Sequence, residues 1–160
     1  MNKVILGYSR SRSPWKIGSK VIQETEKRNF SHCYIVYICP ITGVKIVSQA
    51  SHGFVNEMNY DIFCIQNVVV EEYSFNCSDE QFLTILKYMK LNLGKPYSKL
   101  QLVLIGIKKL LHFEINIRNG NEAFICSEWQ ANIAKMMGIE VPDELDYETP
   151  SDINLVIKNA

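Results

Sequence analysis

Cys126 and His32 are the two residues whose types and settings point most directly to chemistry. Cys126 follows a loop rich in Asn and Gly, Asn116 to Asn121. It falls inside Ala123-Phe124-Ile125-Cys126-Ser127-Glu128-Trp129-Gln130-Ala131-Asn132-Ile133-Ala134, a helical pattern closed by Gly138. At a helix start, unpaired amides and aligned peptide dipoles stabilise a thiolate, which lowers the thiol pKa and makes the sulfur nucleophilic. Position alone is weak, because free cysteine is among the most buried residue types and more often fills apolar space. His32 opens the β-rich run Cys33-Tyr34-Ile35-Val36-Tyr37-Ile38-Cys39, where a sheet edge meets a loop or cleft. An imidazole there titrates near neutrality, so it can take a thiol proton and later return it to a leaving group. Without a partner cysteine it would read as a strand-end histidine with no role.

Other chemistries find little support. The glycines form neither a Gly-x-Gly-x-x-Gly nor a phosphate-loop pattern, which sets nucleotide-dependent chemistry aside. The five cysteines (33, 39, 64, 77, 126) contain no Cys-x-x-Cys pair, and His32, His52 and His112 do not stand at zinc spacing from them. Neither a metal nor another cofactor is expected. An odd cysteine count scattered through apolar surroundings also suits a reducing compartment. Lys108, Lys109 and His112 make a small basic cluster that either faces a substrate or is simply solvated. Phe54, Tyr60 and Phe113 are candidates for a groove wall.

The elements that must position Cys126 and His32 follow from periodicity and punctuation. Ser13-Pro14-Trp15 through Arg28 reads as a first helix, with Pro14 in its initial turn and Trp15, Ile17, Val21 and Ile22 as a partial apolar stripe. The β run from Cys33 ends at Pro40 and a Thr42-Gly43 turn, and Val44 to Ala50 completes a hairpin. A third strand is expected over Phe63 to Tyr73. Ser78 or Asp79 caps a helix through Phe82, Ile85, Leu86 and Met89 that Gly94-Lys95-Pro96 stops. Another helix is expected from Ser98 to Leu111, and an irregular tail with Pro142 and Pro150 leads to a short terminal strand or helix. Strands grouped beside helices, without βαβ alternation, give an α+β class with an antiparallel sheet packed against helices.

Three groups of residues in this order, Ser31-His32-x-x-Ile35-Val36, Gly94-x-x-Tyr97 and Cys126-Ser127-Glu128, resemble the circularly permuted NlpC-like branch of the papain-fold cysteine hydrolases. In that branch the histidine strand precedes the cysteine helix. Thr149-Pro150-Ser151-Asp152 is similar to its closing motif, so the resemblance spans His32 to Asp152. It implies a papain-like fold with Cys126 as nucleophile at a helix N-terminus and His32 as general base. A third polar residue on the next strand would orient the imidazole, and the matching strand carries Gln49, where many relatives have an acid. Gln49 is then either the orienting residue or an outward-facing strand residue, with His52 as the substitute if the register slips. The resemblance also implies that Tyr97 donates toward a developing oxyanion and that Ser127 stands beside it, though a tyrosine after Gly-Lys-Pro serves equally well as turn packing. Glu128 and Trp129 read as helix-start electrostatics and core packing.

At 160 residues, 47% hydrophobic and 21% charged, the chain is expected to form one domain over residues 1–160. Seventeen basic and seventeen acidic residues leave no global field for nucleic acid or an anionic membrane. The apolar start, broken by Gly7, lacks the pattern of a secretory signal, and Leu100 to Leu111 is too short to cross a bilayer. A cytoplasmic cysteine peptidase or amidase acting on a peptide or amide substrate is the first expectation. Acyl transfer or thioester chemistry on lipids is an alternative, as is a binding or inhibitory module that keeps the fold without turnover.

Overall fold

The computed structural model describes residues 2–13, 28–51, 53–98, 124–142 and 149–160. Its centre is a five-stranded antiparallel sheet of strands β1 (Asn2–Ser11), β2 (His32–Ile38), β3 (Lys45–Ser51), β4 (Phe54–Asn59) and β5 (Asn67–Cys77), in the order β4-β3-β2-β1-β5. The described helices are α1 (Tyr60–Gln66), α2 (Asp79–Leu91), α3 (Cys126–Met136) and α4 (Pro150–Lys158). This is the α+β class expected from the sequence.

Alternation within the strands sorts side chains between two cores. Val4, Leu6, Tyr8, Cys33, Ile35 and Tyr37 face α2, α3 and α4, whose Phe82, Ile85, Met89, Trp129, Ile133, Ile153 and Ile157 complete the larger core. On the other face Tyr34, Val36 and Val47 pack with Phe63 of α1. Residues 2–11, which in sequence show only the lack of a secretory-signal pattern, form β1 next to the histidine strand. Its alternation is interrupted at Gly7 for a steric reason. A Cβ there would lie 2.3 Å from Cζ of Tyr34, whose ring crosses β1 at this point to donate from its hydroxyl to Glu72 Oε1 on β5, 2.8 Å away.

The hairpin of β2 and β3 stands where expected, turning through Gly43 at φ 70°. The strand expected over Phe63 to Tyr73 needs correction. Its first four residues belong to α1, and β5 begins only at Asn67 and runs to Cys77. The cause is local: Asn59 caps α1 by accepting from the Asp61 and Ile62 amides, and Phe63 packs on Tyr34 with ring centroids 4.5 Å apart. β4, not expected from the sequence, occupies the stretch before that cap.

Ser78 caps α2 in a reciprocal capping box with Gln81, and Gly94 follows its end at φ 80°. Thr149-Pro150-Ser151-Asp152 proves to be the start of α4. Pro150 occupies the first turn, and the Asp152 carboxylate accepts from the Thr149 amide (2.9 Å) and hydroxyl (2.7 Å). The helices expected over 13–28 and 98–111 lie outside the described residues, apart from Ser13, Arg28 and Ser98 at their ends, as do His52, Lys108, Lys109, His112, Phe113 and the 116–121 loop. Among the described residues no helix is long and apolar enough to cross a membrane.

Candidate active site

Cys126 is the first residue of α3, preceded by Ile125 in an extended conformation (φ −100°, ψ 165°), and no side chain among the described residues caps this end. Several contacts hold the helix start against the sheet. Phe124 pairs in parallel with Tyr97, its amide donating to the Pro96 carbonyl and its carbonyl accepting from the Ser98 amide, each at 3.0 Å. The Tyr97 amide in turn donates to the Gly53 carbonyl at 2.8 Å, so the segment beside the β4 edge carries Tyr97 and the entry to α3 together. Trp129 is fully buried, stacked on Tyr88 (5.4 Å) and edge-on to Phe124 (5.3 Å). Gln130, one turn beyond Cys126 on the same helix face, donates through its amide nitrogen to the Gly7 (3.2 Å) and Tyr34 (3.0 Å) carbonyls. It fastens the helix face that bears Cys126 to both β1 and β2.

His32 opens β2, paired with Ser9 of β1, and Ser31 donates from its amide to the Ser9 carbonyl at 3.0 Å. Gln49 is buried on β3 at 3% exposure, and its Oε1 lies 2.7 Å from His32 Nε2. A chain of hydrogen bonds fixes which way that amide points. Asn56, opposite Gln49 in the β3–β4 register, donates from Nδ2 to the Ser51 (3.0 Å) and Phe54 (3.1 Å) carbonyls. Its Oδ1 is therefore left as acceptor for Gln49 Nε2 at 3.2 Å. Gln49 Oε1 consequently faces the ring and accepts from Nε2–H, which leaves Nδ1 as the ring nitrogen available to the thiol.

Cys126 meets His32 and Cys33 at the end of β2. The β2–β3 ladder runs from Ile38–Lys45 to Ile35–Ser48 and stops there, although both strands continue. Beyond that point Cys33 and His32 are the groups that act on the titration of the Cys126 thiol. The Cys33 thiol hydrogen bond first, then the hydrogen bond and charge of His32 and the Cys33 backbone, hold the Cys126 thiol well below its ordinary value of 9.0 against the opposing effect of burial. Burial, together with the Cys126 charge, pushes the Tyr97 phenol far up, so it stays protonated.

Four of the five sequence-predicted site residues thus act on one another directly or through a relay: Cys126, His32, Gln49 and Tyr97. Ser127 lies buried in the first turn of α3, and Glu128 beside it is nearly buried, its charge contributing to raising Tyr88 to about 12 after desolvation. Among the described residues no cluster of His, Cys, Asp and Glu is arranged to hold a metal ion.

Sequence reasoning missed Cys33, Asn56 and Gln130. Gln130 had a readable signal, a polar residue four positions from the cysteine on one helix face. Cys33 and Asn56 had none, because their roles depend on which strands pair and where a ladder ends. Comparison with models of known protein families and with curated proteins finds no match to this chain.

Proposed function

We propose that this protein is a cysteine hydrolase of the papain-like, circularly permuted NlpC-like kind, with peptidase or amidase chemistry. The observation that carries the reading is the continuous relay from Asn56 through Gln49 and His32 to Cys126, with the Tyr97 phenol kept protonated by burial and the Cys126 charge. Chain order adds support, because the histidine strand and its neighbour precede the cysteine helix.

In this reading the Cys126 thiolate attacks a carbonyl carbon of an amide, and the Cys126 amide at the helix start and the Tyr97 hydroxyl donate to the oxyanion that develops. His32 Nδ1 delivers its proton to the leaving amine. Water attacks the resulting thioester, giving a proton to His32, and expulsion of Cys126 releases the acid. Gln49 keeps Nε2–H engaged throughout, so the same ring nitrogen serves both proton transfers. A neutral amide orients the ring without adding the charge that an acid would supply.

The test is the rate of Cys126 alkylation by iodoacetamide against pH, in the protein and in His32→Ala, followed by incubation with an activated nitrophenyl ester. Selective labelling of Cys126 with an apparent pKa well below the free-thiol value of about 8.5 is expected, with the curve moving upward in the variant. The ester should leave an acyl group on Cys126 that water removes. An ordinary thiol profile that is indifferent to His32, or a sulfur that never acylates, would sink the hydrolase reading.

A further inference from the structure

The end of α3 opposite Cys126 opens on a cavity. Gly138, at φ 84°, stops the helix: its amide donates to the Lys135 carbonyl and the Ile139 amide to the Ala134 carbonyl, each at 3.0 Å, so the chain leaves the helix axis. α4 ends close by, where the Asn159 amide donates to the Val156 carbonyl at 3.2 Å. Between these two helix ends and the edge strand β5 lies a cavity of about 500 Å³, within the range of small-molecule sites. Phe75 of β5, Met137 and Ile139 after α3, and Val156 of α4 form its apolar walls. All four pack on the larger core yet keep part of their surface exposed. Concave, partly exposed apolar surface of this kind rewards a ligand that displaces the water on it.

The polar part of the cavity has one sign. Met137 and Gly138 at the end of α3 and Asn159 at the end of α4 belong to its walls, so both helices present their carbonyl ends, the negative ends of their dipoles, to the same space. Glu140 is the one charged side chain among the wall residues. Lys135 and Lys158, the basic residues of the two last turns, are not part of the walls. We infer that this cavity binds a small organic cation, an ammonium carried on an aromatic or branched apolar body. The body packs against Phe75, Met137, Ile139 and Val156, and the charge faces Glu140 and the two helix ends. A helix end or an exposed carboxylate favours a nearby cation by roughly two- to fivefold each, so the three together favour the cation over the neutral body by roughly tenfold to a hundredfold at low ionic strength. An anion on the same body meets three unfavourable partners. Cys126 stands at the other end of this 11-residue helix, about 15 Å away at 1.5 Å per residue, so the site does not depend on the chemistry proposed for the thiol.

The experiment titrates the whole isotope-labelled chain with tryptamine, tryptophol and indolepropionate, which share one apolar body and carry a positive, no and a negative charge, and follows the backbone amides by NMR. Tryptamine should shift the amides of Gly138, Ile139, Glu140 and Asn159, with a Kd at least about tenfold below that of tryptophol at low salt and a gap that narrows as salt rises. Indolepropionate should bind weakest. Glu140→Gln should narrow the gap between tryptamine and tryptophol by roughly two- to fivefold. Val156→Trp fills the cavity and should abolish binding of all three. Prior alkylation of Cys126 should leave tryptamine binding unchanged. The inference is overturned if tryptamine leaves these amides in place, if it binds no better than tryptophol, or if alkylation of Cys126 removes its binding. Shifts of the same amides with protein concentration alone would overturn it too, by assigning the groove to a second copy of the chain. The native titration decides the matter even if Val156→Trp fails to fold, and Glu140 is exposed, so its exchange leaves the core intact.

Discussion

Gln49 acts on His32 through orientation, and its own orientation is set by a residue that touches neither the imidazole nor the thiol. Asn56 spends both amide hydrogens on the Ser51 and Phe54 carbonyls, which obliges it to accept from Gln49 and obliges Gln49 to present oxygen to the ring. Gln49→Leu removes the acceptor, and a net hydrogen bond of about 0.5–1.5 kcal/mol corresponds to a loss of up to roughly tenfold in the alkylation rate of Cys126 near neutral pH. Asn56→Ala should lower the rate in the same direction by a smaller factor, because Gln49 remains but its amide is free to turn. The readout is the pH profile of alkylation beside a stability measurement. A profile that neither variant moves, in protein of native stability, would mean that the ring is held by something other than this relay.

At the scale of the element, the position of Cys126 depends on how α3 is pinned to the sheet. An amphipathic helix packed only by apolar contacts can slide; Gln130 prevents this by bonding two carbonyls on adjacent strands one turn from the cysteine. Gln130→Ala strands those partners in a buried site and should cost about 1–3 kcal/mol, read from the urea midpoint. It should also slow Cys126 alkylation in the population that remains folded, since the sulfur loses register with His32 and Cys33. Unchanged alkylation in a destabilised variant would assign Gln130 to stability alone. The helix start was legible from the loop before it and the glycine after it. The strand boundaries were less so: the Asn59 cap that converts residues 60–66 into α1 looks in sequence like the approach to an apolar strand.

For the molecule as a whole, the C-terminal helix is tied to the sheet by a carboxylate that titrates. Glu71 on β5 accepts from the Tyr73 hydroxyl (2.7 Å) and from Asn154 of α4 (3.0 Å), and these bonds hold its carboxyl below the ordinary value of 4.5. Because the folded value is the lower one, the unfolded chain binds more protons in the interval between them. The contribution is complete above about pH 4.5 and is lost as pH falls through the folded value. Stability measured by urea unfolding should therefore drop on acidification through this range, and Glu71→Gln should flatten that part of the curve. An identical acid profile in the variant would assign the acid sensitivity to other carboxylates. The same molecular view separates what the sequence determined from what tertiary structure decided. Local rules were enough for the hairpin, the Ser78 cap, the Gly94 and Gly138 helix ends, and Cys126 and His32 as a nucleophile and base candidate, because each rests on neighbours a few positions away in the chain. That Gln49 faces the ring through Asn56, that Tyr34 lies over Gly7, and that Cys33 acts on the Cys126 thiol was decided only by strand pairing, by where the β2–β3 ladder stops and by helix docking. Contacts between residues distant in sequence have no periodic signature, and folding brings them together only when the buried surfaces of separate elements meet.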